Sequence, residues 1–203
     1  MPDRAPARRL IDHGPADPGP EAAEQVVLLD VDGRAAGVAD KHTVHGRVTR
    51  RHLGFSCYGF DGAGRVLLTQ RSRLKRTFPL LWSNTCCGHP APGETVEDAA
   101  RRRMSYELGL PATALRTVLP DFAYRASYAG VEEHELCPVL ICQVVDAPLA
   151  RPDEVESWQW WSWSKLQDEA AAPDSILSPW ARLQVPLLAA SGAVERLSGS
   201  VVR

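Results

Sequence analysis

The sequence predicts an α/β protein in which a mixed β-sheet is sandwiched between helices in a single compact domain. Three observations support this fold class. Short strand patterns clearly outnumber helical ones, and the two kinds follow each other in mixed order. A chain of 203 residues is also long enough for one well-buried core and too short for two large domains.

Turn residues separate the predicted strands of the N-terminal half. Residues 26–29 form a short apolar run that is typical of a strand, and residues 30–33 follow as a turn. Residues 52–60 are predicted as a second strand. A hairpin-like turn at residues 61–64 then leads into a third strand at residues 65–71.

Capping residues define the clearest helix. Thr95 and Asp98 resemble a capping box, and Gly109 supplies a C-cap directly after Leu108, with a proline beyond it. The later patterns predict three more strands and a closing helix, at 118–125, 133–145, 155–163 and 180–190.

Composition sets the predicted domain boundaries. Residues 1–23 are rich in Pro, Ala, Arg and Asp without periodicity, so we predict a flexible tail there. The domain is predicted to span residues 24–190, and residues 191–203 are predicted to form a C-terminal tail.

Charge and cysteine content narrow the functional classes. A net charge of −2 gives no basic field for a nucleic-acid backbone, so any bound anion must meet a local basic cluster. No apolar run approaches the ~20 residues that a membrane span needs, and the N-terminus lacks the apolar core of a signal peptide. Five cysteines without framework spacing favour reduced thiols and a cytoplasmic protein.

Imidazoles and carboxylates offer a candidate metal site. Glu133 and Glu135 are one residue apart on a predicted strand, so both side chains point to the same face. With three histidines they form a mixed nitrogen and oxygen set that suits a divalent ion such as Mn, Fe, Co or Zn. Each residue alone is more often a solvated or hydrogen-bonded side chain, and only convergence makes a site of His45, His52, His89, Glu133 and Glu135.

Basic residues offer a candidate anion site. Arginine presents a fork that matches phosphate oxygens, and lysine presents a point charge. Arg103 and Glu107 lie one turn apart on the predicted helix, where Mg²⁺ could bridge the carboxylate and a diphosphate. The alternative is a salt-bridged helix flank beside a solvated loop. The candidate anion ligands are Lys41, Arg71, Arg73, Lys75, Arg76 and Arg103.

Tryptophan is frequent for a chain of this length. Most of these side chains are expected to fill the core or cover the sheet. An indole face is also the best protein surface for a cation that has no hydrogen-bond handle. The six candidates are Trp82, Trp158, Trp160, Trp161, Trp163 and Trp180.

The segment from Gly88 to Gly109 resembles the Nudix box. That pattern is Gly, five residues, Glu, seven residues, Arg-Glu, an aliphatic residue, any residue, Glu-Glu, any residue and Gly. Arg103 and Tyr106 occupy two of its glutamate positions here, which leaves only Glu107 at the end of the helix. A Nudix-like segment that lacks most of the carboxylates for binding the hydrolytic metal ions indicates chemistry other than hydrolysis.

Further motifs resemble the type I isopentenyl-diphosphate isomerases, a divergent Nudix-fold family. The Cys-Gly-His-Pro segment at 87–90, with Glu-any-Glu-any-Cys-Pro at 133–138, is highly specific in combination. The resemblance covers roughly residues 25–190. Its other matching segments are 41–45, 52–56, 70–75, 82–86, 102–109, 120–125 and 178–180.

That resemblance implies a metal-dependent site. One divalent transition ion, Mn or Zn, would be held by the three histidines together with Glu133 and Glu135. Mg²⁺ would be held by Glu107, the main chain near Cys87 and the substrate diphosphate.

The same resemblance implies roles for the residues that face the substrate. Cys87 and Glu135 would flank the substrate on opposite faces as proton-transfer groups, and Tyr124 would assist the acidic side. Trp180 would cover the carbon end. The remaining phosphate charge would be met by Lys41, Arg71, Lys75 and Arg103.

The implied reaction converts isopentenyl diphosphate into dimethylallyl diphosphate. It adds a proton to one carbon, passes through a tertiary carbocation and removes a proton from another carbon. An unactivated alkene is a very weak base, so the acid must be positioned and water excluded. The expected partner is thus a small isoprenoid diphosphate from isoprenoid biosynthesis, without nucleic acid or membrane, and the expected state is a monomer or weak dimer.

Two other functions are compatible with parts of the sequence. A Nudix hydrolase of a nucleoside diphosphate derivative needs a carboxylate array on the box helix, and most of that array is missing here. A non-catalytic zinc-binding module needs cysteine pairs such as Cys-x-x-Cys, and the chain has none.

Overall fold

The structure is a computed structural model that describes residues 25–199. The tail predicted at residues 1–23 lies outside this range. The strands of the described residues are β1 (Gln25–Leu29), β2 (Ala35–Asp40), β3 (His52–Leu53), β4 (Phe55–Phe60), β5 (Arg65–Arg71), β6 (Trp82–Ser83), β7 (Cys86–Gly88), β8 (Thr113–Leu119), β9 (Ala123–Tyr128), β10 (Val131–Leu136), β11 (Val139–Gln143) and β12 (Val155–Ser162). The helices are α1 (Lys41–Val44), α2 (Val96–Leu108), α3 (Trp163–Ala171), α4 (Pro179–Ser191) and α5 (Ala193–Gly199).

The strands form two mixed sheets. The first has the order β2-β1-β3-β10-β9, and the second has the order β12-β5-β4-β11-β8, with β6 beside β5 and β7 beside β4. The β3–β10 and β4–β11 pairs are parallel, while β1–β2, β9–β10 and β5–β12 are antiparallel. The predicted α/β class with mixed strand pairing is confirmed, and the strands divide between two sheets instead of forming one.

Two predicted strands each pass from the first sheet into the second. The strand predicted at 52–60 is β3 followed by β4, with Gly54 between them, and the strand predicted at 133–145 is β10 followed by β11. Pro138 interrupts the latter because it has no backbone N–H for a ladder. The Gly54 N–H donates to the Leu136 carbonyl oxygen at 2.9 Å, so the two segments cross side by side.

Two other strand predictions differ from the structure at their ends. The strand predicted at 118–125 is interrupted by a turn that begins at Pro120, which separates β8 from β9. The strand predicted at 155–163 ends at Ser162. The Ser162 hydroxyl accepts the Lys165 N–H at 3.2 Å and thereby caps α3, a helix that the strand pattern did not predict.

The predicted caps of the box helix are present. The Thr95 hydroxyl accepts the Asp98 N–H at 3.1 Å, and Gly109 adopts the left-handed conformation with φ at 64°. The closing helix predicted at 180–190 is confirmed as α4. These caps fix α2 at both ends, and α2 carries several of the site residues.

The segment predicted as a C-terminal tail differs from that prediction where the structure describes it. Residues 193–199 form α5, and Ala193, Val194 and Leu197 are buried. This short helix follows Gly192, which ends α4 in the left-handed conformation. It was not predicted because seven residues are too few to establish a helical period.

Helices cover both faces of the second sheet, as the sandwich prediction requires. On one face, α2 contributes Met104 to a core that includes Phe55. On the other face, α4 contributes Trp180 to a core that includes Tyr58. β4 is therefore buried on both sides. Within residues 25–199, none of the helices has the length and apolar character of a membrane span.

Candidate active site and metal centre

A cavity of about 910 Å³ lies between α2, the crossing strands and the loop after β5. Cavities of this size hold small-molecule ligands. Among the predicted site residues, His52 and Glu107 are buried and do not line this cavity. The residues that the family resemblance placed at the site and that line the cavity are Lys41, His45, Arg71, Lys75, Cys87, His89, Arg103, Tyr124, Glu133, Glu135 and Trp180.

Four side chains converge as candidate metal ligands. One ligand atom from each of His45, His52, His89 and Glu135 lies within 4.8 Å of the others. His52 Nε2, His89 Nε2 and Glu135 Oε1 are separated from one another by 3.1 to 3.3 Å. Ligand atoms about 2.0–2.1 Å from a shared ion lie roughly 2.9–3.4 Å apart in octahedral or tetrahedral geometry, so these distances fit one ion.

The other ring nitrogens support the same assignment. The Arg50 carbonyl oxygen lies 2.8 Å from His52 Nδ1, and a proton on that nitrogen leaves the Nε2 lone pair for a metal. His45 Nε2 and His89 Nδ1 are buried and have no hydrogen-bond partner among the described residues. Burial, with the neighbouring histidines, lowers the pKa of His45 to about 3. The imidazole is therefore neutral, which is the form that binds metal.

The Glu135 carboxylate stays ionised although it is buried. Burial acts to raise its pKa, but contacts with His52 and His89 outweigh that effect and hold the pKa well below its usual range. Burial acts to lower the pKa of His52, and Glu135 more than offsets it, so that pKa is raised. Gly54 makes room for this carboxylate, because a Cβ at that position would overlap it.

Glu133 lies on the same face of β10 as Glu135 but is not one of the four converging ligands. Its Oε2 accepts the Tyr124 hydroxyl at 2.6 Å. Burial and the nearby Glu135 charge raise the pKa of Glu133 to about 7, so it changes protonation near neutral pH. Burial also raises the pKa of Tyr124, which keeps that phenol neutral and able to donate.

The two adjacent cysteines face opposite sides of β7. Cys86 is buried in the core under α2, whereas Cys87 lines the cavity. Arg71 Nη1 donates to Cys87 Sγ at 3.6 Å. Burial raises the pKa of Cys87 to about 11, although Arg71 opposes the shift. The Cys87 side chain is thus a protonated thiol at neutral pH.

Carboxylates neutralise two of the predicted phosphate ligands. Arg103 Nε donates to Glu107 Oε1 at 2.9 Å, and Arg103 Nη2 lies 3.0 Å from Glu154 Oε1. Lys75 Nζ contacts the other oxygen of Glu154. Burial acts to raise the pKa of Glu154, but Arg103 and Lys75 lower it to about 2. Arg103 and Glu107 form the helix ion pair that the alternative interpretation expected, but both side chains are buried.

The loop after β5 binds Arg71, the half-buried last residue of that strand. Arg71 Nη2 donates to the Thr77 carbonyl oxygen at 2.8 Å, and Arg71 Nε donates to the Phe78 carbonyl oxygen at 3.1 Å. The Arg71 guanidinium carbon lies 5.4 Å from the Trp180 ring centroid. Trp180 Nε1 donates to Asn84 Oδ1 at 3.0 Å, so this indole is a core residue with one face on the cavity.

The other basic candidates divide between the cavity and the surface. Arg76 lines the cavity and contacts the His42 carbonyl oxygen, which connects the loop after β5 to α1. Arg73 instead pairs with Glu156 on the surface and does not line the cavity.

Comparison with known proteins identifies the family. The family model described as NUDIX domain matches residues 50–181. An isopentenyl-diphosphate Delta-isomerase from Mycolicibacterium vanbaalenii is 53% identical over 180 residues, which cover 88% of this chain and 99% of that protein. The chain belongs to the isopentenyl-diphosphate Delta-isomerase family. A second member, from Saccharopolyspora erythraea, is 50% identical over 171 residues, which cover 84% of this chain and 88% of that protein.

Solved structures of lower identity share the fold of this isomerase-family chain. DR0079 from Deinococcus radiodurans is 20% identical with a TM-score of 0.63, and the match covers 81% of this chain and 98% of that one. A MutT NUDIX hydrolase from Burkholderia pseudomallei is 21% identical with a TM-score of 0.52, with 68% and 97% covered. At this identity the likeness concerns the fold alone.

Two residues of this isomerase-family site were missed from the sequence. Asn84 anchors the Trp180 indole, and its Nδ2 also donates to the Cys86 carbonyl oxygen. Its position three residues before the Cys-Gly-His-Pro segment could have indicated that Asn84 belongs to the site. Glu154 contacts both Lys75 and Arg103, and no motif in the sequence marks it.

Proposed function

We propose that this protein interconverts isopentenyl diphosphate and dimethylallyl diphosphate through a tertiary carbocation. The relatives above carry the name of this activity. The observation that carries the proposal is that Cys87 and Glu135, on β7 and β10, line one cavity in opposite protonation states. A reaction that both adds and removes a proton needs such a pair.

The two groups account for both proton transfers. One group donates a proton to the terminal alkene carbon, which leaves a tertiary cation. The other group takes a proton from the adjacent methylene carbon, which creates the new double bond. The substrate gains and loses one proton, so the reaction is balanced and reversible, and the two groups exchange roles in the reverse direction. We propose that Tyr124 supports the acidic side through its hydrogen bond to Glu133.

The converging ligands support a divalent transition ion, and we propose Mn or Zn. Three imidazole nitrogens and a carboxylate oxygen suit either metal. When bound, such an ion withdraws electron density from the carboxylate and increases the acidity of groups attached to it. His45, His52 and His89 orient Glu135 toward the cavity, and Glu133 could complete the set by turning from Tyr124.

The basic end of the cavity supports a diphosphate anchor. We propose that Lys41, Arg71, Lys75 and Arg103 bind the phosphate oxygens, and that Glu107 and the Cys87 carbonyl hold Mg²⁺ against them. The anchor supplies binding free energy that fixes a small hydrocarbon with no polar handle of its own. Trp180 is proposed to present its indole face to the cation.

The described cysteines are free thiols, in keeping with a reducing cytoplasm. We propose a cytoplasmic enzyme that acts as a monomer or weak dimer on a soluble substrate.

Incubation of the purified protein with isopentenyl diphosphate and Mg²⁺ tests this function. Chromatography of the products should reveal dimethylallyl diphosphate, and the Cys87→Ala variant should form almost none. A hydrolase would instead release phosphate from nucleoside diphosphate derivatives, and that result without isomerisation would refute the proposal. Arg103 and Tyr106 in two glutamate positions of the box disfavour hydrolysis.

A further inference from the structure

The Glu154 carboxylate contacts two cationic side chains that line the cavity. Its Oε2 contacts Lys75 Nζ, and its Oε1 lies 3.0 Å from Arg103 Nη2. The Glu154 side chain is 13% exposed and lines the cavity. Its backbone is fixed as well, because its carbonyl oxygen accepts the Ser72 N–H at 3.0 Å and its N–H donates to the Arg151 carbonyl oxygen at 3.0 Å. The carboxylate therefore has little freedom to move away.

These contacts neutralise two of the cations at the basic end of the cavity. Arg103 is paired with Glu107 on one side and Glu154 on the other, and Lys75 is paired with Glu154. Two carboxylates thus balance two cations. A donor hydrogen directed at Glu154 is not directed at a phosphate oxygen, so an incoming diphosphate must compete with Glu154.

We propose that Glu154 is a positioning residue that limits the affinity of the site for diphosphate groups, by occupying Lys75 and Arg103, and thereby allows product to leave. This inference rests on the proposed function. Substrate and product carry the same diphosphate, so tighter anchoring favours both equally and does not lower the barrier of the chemical step. Tighter anchoring also slows release, which limits turnover in many enzymes.

Inorganic pyrophosphate with Mg²⁺ is the probe that isolates this effect from catalysis. Glu154→Gln keeps the shape of the side chain and removes its charge. Removing one like charge several ångströms from the ligand should tighten pyrophosphate binding about tenfold after screening. Glu156→Gln is the matched control, because Glu156 pairs with Arg73 on the surface two residues further along the chain. The control should bind pyrophosphate like the wild type.

Titration calorimetry measures the pyrophosphate affinity of the wild type, Glu154→Gln and Glu156→Gln. Thermal melts show whether each protein is folded, and steady-state kinetics give KM and kcat. In Glu154→Gln we expect KM and kcat for isopentenyl diphosphate to fall together, which loss of structure alone would not cause. Unchanged or weaker pyrophosphate binding in folded Glu154→Gln would overturn the inference. Should that variant not fold, Glu154→Asp shortens the reach to Lys75 and should tighten binding about twofold to fivefold, and no tightening there would overturn it.

The same experiment separates this inference from the proposed function. Tighter pyrophosphate binding in Glu154→Gln, together with a wild-type protein that forms no dimethylallyl diphosphate, would reject the isomerase activity and leave the competition between Glu154 and diphosphate in place. Formation of dimethylallyl diphosphate without tighter binding in the variant would reject the role of Glu154 alone.

Discussion

Gly54→Ala should damage the metal centre without disturbing the fold. The three atoms nearest to a Cβ at position 54 all belong to the Glu135 carboxylate, whose carboxyl carbon would lie only 2.8 Å away. Non-bonded carbon atoms need about 3.5–4.0 Å, so the carboxylate must retreat by roughly 1 Å. That shift would break the arrangement in which Glu135 Oε1 lies 3.1 Å from His89 Nε2 and 3.3 Å from His52 Nε2.

The expected losses follow from that displacement. Disturbing a ligand in this way should weaken metal binding by about 10–100-fold, and a misplacement of about 1 Å at a reacting group should lower kcat by about 100-fold. Metal titration and steady-state kinetics measure the two effects. Gly62→Ala is the control, because no atom lies within 4 Å of a Cβ at that position. Wild-type metal affinity and kcat in Gly54→Ala would refute the assignment of Glu135 as a ligand.

Three further predictions concern single side chains. Cys87→Ala should abolish nearly all turnover with the fold intact, while Cys86→Ala should keep most of it; wild-type kcat in both would exclude a thiol acid. Trp180→Phe should retain more kcat than Trp180→Leu, by about 0.5–2 kcal/mol of cation–π stabilisation, and equal kcat values would leave only a packing role. Because the pKa of His45 falls from 6.5 when unfolded to about 3 when folded, the unfolded chain binds the extra proton between these values. In the metal-free protein His45 therefore contributes a loss of up to about 2 kcal/mol of unfolding free energy between pH 7 and pH 5, while the raised pKa of Glu133 acts in the opposite direction. Over this range, denaturant unfolding should show the wild type changing unfavourably by up to about 2 kcal/mol relative to His45→Gln, and parallel pH profiles would contradict a buried neutral imidazole.

Capping and turn residues in the sequence correctly predicted the ends of the box helix and the hairpin between β4 and β5. Thr95 and Gly109 fix the ends of α2, and the turn at 61–64 fixes the hairpin between β4 and β5, because caps and turns depend on residues close in the chain. The same signals could not reveal where a strand changes sheet. Residues 52–60 read as one strand because strand periodicity is the same in either sheet, and only the crossing with the segment at 133–145 divides them.

The sequence was enough to predict which residues belong to the site, but not which of their side chains contact one another. Spacing put Glu133 and Glu135 on one face, but it could not reveal that Glu135 meets the histidines while Glu133 meets Tyr124. The partnership of Glu154 with Lys75 and Arg103 joins side chains far apart in the chain, so the sequence held no local trace of it. Arg71 and Trp180 were likewise predicted to bind opposite ends of the substrate, and the structure stacks one on the other.

Deuterium transfer tests the central claim most directly. The Cys87 thiol exchanges its proton with solvent, so a wild-type reaction with isopentenyl diphosphate and Mg²⁺ in D₂O should place deuterium in a methyl group of dimethylallyl diphosphate. NMR of the mixture should show that label appearing with the product, and Cys87→Ala should give almost none. Unlabelled dimethylallyl diphosphate, or released phosphate with the alkene unchanged, would contradict proton transfer from an exchangeable acid in this cavity.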